Sequence, residues 1–193
     1  MAMSGWIRIV SALFCVLFAP AVLAEEPPCG KGLICASKPE TLVKGLQEAG
    51  YKAKLVTPND EDPYIETKMS GYSVNLILSD CEKRRQCRTF SYRLNFVAEP
   101  VYTVDFANRW NNKYRFLQVY RLDNGRLGVN YDVTTVGGLN QANFTDLTES
   151  FDGTLGTLDQ FIEEAKQSAE KAASEAKPAT AGTPSTAAPA TSQ

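Results

Sequence analysis

Four of the five cysteines fall in two pairs of equal spacing, CGKGLIC (Cys29, Cys35) and CEKRRQC (Cys81, Cys87), and they carry the most chemistry this sequence offers. Thiols so placed can ligate a metal, cycle as a redox pair or close disulfides. A zinc site favours gaps of two to four residues and often draws on histidine, and the chain contains no histidine. A reactive redox pair is usually Cys-x-x-Cys, which lowers the thiolate pKa, whereas five residues intervene here. Disulfides remain, given an oxidising compartment. Four cysteines allow three connectivities, and proximity favours pairing within each loop.

Other chemistries find little support. Without histidine, Ser-His and Cys-His arrangements are excluded. The acidic loop Asn59 to Asp62 lacks the alternating ligands, central glycine and distal Glu of a calcium loop, and reads as a solvated turn. Gly137-Gly138 follows no phosphate-loop pattern and reads as a bend before a helix. The NFT at Asn143 to Thr145 matches a glycosylation acceptor but sits inside an apolar-periodic helix. Lys83, Arg84 and Arg85 read as a loop tip, and a formal net charge of −2 makes nucleic acid a poor partner. Neither a metal nor a cofactor is expected. An enzyme would have to rely on acids such as Asp123 or Asp132, and the expectation is that the chain is not one.

The compartment is written at the N-terminus. Arg8 precedes an uncharged apolar run from Ile9 to Leu23 that ends in VLA before Glu25. This is the pattern of a secretory signal peptide over residues 1–24, and the run is short for a spanning helix. The expected location is periplasmic or secreted, with no membrane contact once the leader is removed. A cysteine-loop segment (25–36) and a single domain (37–166) should follow. Residues 167–193, rich in Ala, Pro, Thr and Ser, read as a disordered tail whose start can continue a helix.

The elements that must position these residues follow from periodicity. SKPETLVKGLQEAGY reads as a helix capped by Ser37, with Leu42, Val43 and Leu46 on one face and Gly50 as stop. YKAKLV and YIETKM alternate as strands. Tyr72, Val74, Leu76 and Leu78 share one face of the next strand, and Phe90, Tyr92, Leu94 and Phe96 one face of its partner. Cys81 and Cys87 end these two strands, so a bond between them would strap a hairpin. A helix follows with Thr103 as cap and Val104, Ala107, Trp110 and Tyr114 as its buried stripe. A hairpin around Asn124-Gly125 comes next. The last helix has Asn140 as cap, an apolar face of Phe144, Leu147, Phe151, Leu158, Phe161 and Ala165, and a bend or break expected near Gly153 and Gly156. The order α-β-β-β-β-α-β-β-α describes an α+β domain, an antiparallel sheet with helices on one face. Ile77, Phe116 and Tyr120 have off-core parity and, if close together, would form an apolar island for docking.

The run FANRWNNKYRFLQVYRLDNGRLGVNYDVTTVGGLNQANF resembles the YbjN-like family of bacterial proteins. The shared features are a helix carrying Trp110-Asn111, a basic-aromatic link from Lys113 to Phe116, the turn at Asp123 to Gly125, and Gly137-Gly138 before the final helix. The resemblance spans about residues 40–165. It implies a fold like that of type III secretion chaperones, small proteins that bind other proteins and usually dimerise, and a description as a sensory-transduction regulator. The expected function is therefore an exported, chaperone-like binding module, with another protein or a second copy in a homodimer as partner. The alternatives are an acid-based enzyme or an envelope structural protein tethered by its tail.

The export reading has a direct check. Protein isolated from its native compartment should start at Glu25 and show no free thiol in non-reducing peptide mapping, with Cys29 linked to Cys35 and Cys81 to Cys87.

Overall fold

The computed structural model describes residues 29–82 and 86–176. The leader, the basic trio Lys83 to Arg85 and the last seventeen residues lie outside the described residues. The elements follow in the expected order: α1 (Pro39–Glu48), β1 (Ala53–Val56), β2 (Tyr64–Met69), β3 (Tyr72–Ser79), β4 (Thr89–Phe96), α2 (Val104–Lys113), β5 (Gln118–Arg121), β6 (Leu127–Thr134) and α3 (Gln141–Glu175). The strands form one six-stranded antiparallel sheet in the order β1-β2-β3-β4-β6-β5. The first four strands are a meander. The chain then leaves through α2 and returns so that β6, not β5, pairs with β4.

Alternation decides which face is buried. Phe90, Tyr92, Leu94 and Phe96 of β4 stand opposite Val133, Tyr131, Val129 and Leu127 of β6, and all but the half-buried Phe96 are buried. The helices cover this face. The Phe151 ring of α3 stacks on Tyr92 at 4.6 Å between centroids, and Phe144 meets Phe90 at 6.1 Å. The Phe106 and Trp110 rings of α2 pack on Phe161 of α3. Gly45 lets α1 close on this layer, because a Cβ there would meet the Ile34 and Phe144 side chains at 2.6 and 2.9 Å.

At the centre of the seam under α3 the polar groups pair with one another, whereas the buried Thr67 hydroxyl on β2 has no hydrogen-bond partner among the described residues. The Thr148 hydroxyl donates to the Phe144 carbonyl (2.7 Å), so Tyr92 donates its own proton to Thr148 Oγ1, also at 2.7 Å. Burial pushes the Tyr92 phenol up. At the rim of the same seam, Tyr51 donates to Asp152 Oδ2 (3.1 Å) and Tyr72 to Asp159 Oδ1 (2.7 Å).

Two caps stand where expected, since the Phe106 amide donates to Thr103 Oγ1 and the Asn143 amide to Asn140 Oδ1. Three details differ. Lys38, not Ser37, precedes α1, with Pro39 opening the helix and no side-chain cap bond. Val104 is 65% exposed, because Thr103 sets the helix phase that turns Phe106 into the core instead. The last helix runs unbroken through Gly153 and Gly156. Each glycine costs about 1 kcal/mol in a helix interior, which burial of Phe151, Leu155 and Leu158 on either side outweighs.

Both disulfides close within their own loops, Cys29 to Cys35 and Cys81 to Cys87. The N-terminal loop is docked on the domain. Ile34 and Leu139 exchange backbone hydrogen bonds at 2.8 and 2.9 Å, and the Ala36 amide donates to Thr135 Oγ1.

The α3 seam generates a pH prediction. Partial burial first, and the bond to Asp152 or Asp159 second, push Tyr51 and Tyr72 up to about 12, and burial does the same for Tyr102. The folded chain therefore keeps protons that the unfolded chain releases. Stability is fully present below about pH 10 and falls as pH rises toward 12. The urea midpoint should drop across that window, and Tyr51→Phe with Tyr72→Phe should flatten the drop.

Candidate docking surface

Trp110 and Asn111 are neighbours on α2, so their side chains leave the helix roughly 100° apart. Trp110 enters the core, fully buried, and its Nε1–H donates to the Leu117 carbonyl at 2.8 Å. Asn111 stays at the rim and behaves as a length of strand. Its Nδ2 donates to the Val119 carbonyl (2.9 Å), and its Oδ1 accepts from the Val119 amide (3.0 Å). Val119 lies on β5, an edge strand, and unpaired edge groups invite another strand. The amide fills them.

Between this clamp and β5 the chain turns sharply. The Leu117 amide donates to the Arg115 carbonyl at 2.9 Å, across Phe116, whose φ is +69°. The Phe116 ring is 69% exposed. One side of it meets Tyr131 at 6.1 Å, and the Arg115 guanidinium lies 5.2 Å from its centre. Tyr120 is 40% exposed and lies flat over Gly128, where a Cβ would come within 2.5 Å of the ring.

The three residues expected to form one island lie apart. Ile77 is on β3, three strands from β5, about 14 Å at the usual spacing. Phe116 sits outside any strand, against core-facing Tyr131. The apolar neighbours of Ile77 are residues that sequence reading passed over. Val56 pairs with Tyr64, and Tyr64 with Ile77, so the three form a row across β1, β2 and β3 on the helix-free face. All three are half-buried.

Around that row the open face is polar. Arg93 Nε donates to Asn130 Oδ1 (3.0 Å), Asn130 Nδ2 to Asp132 Oδ2 (2.6 Å), and the Ser91 hydroxyl to Asp132 Oδ1. Asp132 is thus held by two donors. Asp123 lies in the turn beyond Leu127, and Asp132 is five positions along β6 from Leu127, about 17 Å along a strand. These carboxylates do not converge. Beside the row, a shallow groove of about 620 Å³ is lined by Lys52, Lys54, Glu66, Lys68, Ser73 and Asn75. Among the described residues no group of three His, Cys, Asp or Glu side chains could hold a metal ion. The loop from Asn59 to Asp62 is exposed.

The family model YbjN, described as "Putative bacterial sensory transduction regulator", matches residues 38–169. The chain belongs to the YbjN family. It is also similar to the protein in "Crystal structure of YbjN, a putative transcription regulator from E. coli", with 12% identity, 69% of this chain and 95% of that chain covered, and a TM-score of 0.48. No curated protein matches. The YbjN match begins one residue before α1 and ends within α3. The Cys29–Cys35 loop therefore precedes the matched span, while the Cys81–Cys87 bond lies inside it.

The clamp is testable in this YbjN domain. Asn111→Ala strips both partners from Val119 and should cost about 1–2 kcal/mol in urea unfolding. It should also raise the chain's tendency to aggregate in light scattering, because the β5 edge is then open.

Proposed function

We propose that this YbjN-family chain is an exported, non-enzymatic regulatory module that docks another protein on the open face of its sheet. The observation that carries this reading is the face itself. All three helices lie on the opposite side, leaving the row Val56, Tyr64 and Ile77 beside a polar ladder and a lysine-lined groove. An apolar strip within a polar field is the usual composition of a non-obligate interface. The ladder occupies Asp132 rather than presenting it to a substrate.

Export is supported by the leader-like N-terminus and by two disulfides, which persist in oxidising compartments. No helix among the described residues is long and apolar enough to cross a membrane. The partner is a protein of the same compartment, a second copy of this chain included.

The test is Tyr64→Ser combined with Ile77→Ser. Crosslinking in the cell envelope should lose the partner band, or sedimentation should lose the dimer, while the melting temperature stays within a few degrees because neither side chain belongs to the core. Retained association would place docking elsewhere. A collapse in melting temperature would show that the row is structural.

A further inference from the structure

The edge made by the second half of α2 and the β5–β6 hairpin concentrates a charge that the chain as a whole lacks. Between Asn108 and Arg126 stand Arg109, Lys113, Arg115, Arg121 and Arg126, against Asp123 alone, in a chain of formal net charge −2. All six are exposed. Arg109 is paired with Asp105 one turn earlier at 3.2 Å, and Arg126 donates to the Phe96 and Asn95 carbonyls at 3.4 Å, which leaves Lys113, Arg115 and Arg121 against one acid. The same edge exposes the Phe116 ring at 69%, while the Tyr120 ring, 40% exposed, lies over Gly128 on the open face of the sheet.

The backbone at Phe116 sharpens the question. A three-residue turn with positive φ at its centre is rare and strained for any residue but glycine. Its position is set by the core, since Leu117 is buried and its carbonyl accepts from Trp110. The core does not ask for a phenyl ring at the tip. Glycine would take φ +69° without strain, yet the chain carries a large apolar side chain there, into solvent, beside Arg115.

The mode of docking can be narrowed. Strand addition is blocked at Val119 by the Asn111 amide. A ring on the tip of a tight turn is a knob, suited to entering a soft layer. Cations around it call for an anionic partner, and the exposed ring calls for one with an apolar interior just beneath its charge. An anionic bilayer surface has both. We propose that the β5 edge docks peripherally on an anionic lipid surface. Phe116 enters the headgroup boundary, and Lys113, Arg115 and Arg121 meet lipid phosphates. This departs from the expectation of no membrane contact after leader removal. It does not depend on the protein-docking reading of the open face.

The mature chain, residues 25–193 with both disulfides intact, can be mixed with vesicles of phosphatidylglycerol and phosphatidylcholine in equal parts, or of phosphatidylcholine alone. Outside residues 1–24, Trp110 is the single tryptophan, and its bond to Leu117 places it beside the turn. The expected result is co-sedimentation with anionic vesicles only, accompanied by a shift in Trp110 emission. Screening at about 0.5 M salt should weaken it about tenfold or more. Phe116→Gly should lose about tenfold in vesicle affinity while melting no lower than the wild type. Arg115→Gln with Arg121→Gln should lose a similar factor. Absence of binding to anionic vesicles, equal binding to phosphatidylcholine alone, or undiminished binding by Phe116→Gly would each overturn the proposal. A Trp110 shift with polyglutamate but not with vesicles would overturn it in favour of an acidic protein.

Discussion

A 35-residue helix laid across a six-stranded sheet traps polar groups in the seam, and each needs a partner inside it. The seam meets that requirement at its centre. Tyr92 stacks on Phe151 and hands its hydroxyl proton to Thr148, which has already spent its own on the helix backbone at Phe144. The ring supplies apolar contact and the hydroxyl fixes where along the helix that contact falls. Tyr51 and Tyr72 repeat the device at the rim with Asp152 and Asp159. Register between helix and sheet is thus set by polar groups, while burial supplies most of the stabilisation.

Once α3 is fixed, one face of the sheet is committed and the other is left to solvent or a partner. The edges are treated differently from the faces. On the β5 side, α2 presents Trp110 inward and Asn111 sideways, so one helical turn both seals the core and closes the edge. The pair that marks the family in sequence has a physical role that needs no ligand. What the clamp leaves outside, a strained turn carrying Phe116 among cations, is the part of that region for which packing gives no reason.

The strands, their faces and two of the three helix caps were legible because each is a local pattern. Tyr72 to Leu78 and Phe90 to Phe96 alternate cleanly, and Thr103 and Asn140 sit where a cap must sit. The unbroken α3 was not legible, since the glycine penalty is local and the burial that outweighs it is tertiary. Nor was the surface. Parity says that Ile77 and Tyr120 point away from the core, but which outward residues become neighbours depends on strand order. Here β4 and β6 lie between β3 and β5, and so Ile77 found Val56 and Tyr64 instead. The left-handed turn at Phe116 left no trace at all, because nothing in KYRFL resembles the Gly or Asn that such a backbone normally selects.

Each disulfide joins cysteines with a sequence separation of 6. The contacts that build the domain are far longer in range, with Tyr51 and Asp152 101 residues apart. The two kinds of closure therefore differ widely in range. In a chain emerging N-terminus first into an oxidant, Cys29 and Cys35 meet at the high effective concentration of a short loop before Cys81 arrives. Oxidation need not wait for the fold, and the fold need not protect the thiols from wrong partners. In a chain exported as proposed, each bond would close within its own loop before the long-range contacts of the sheet form.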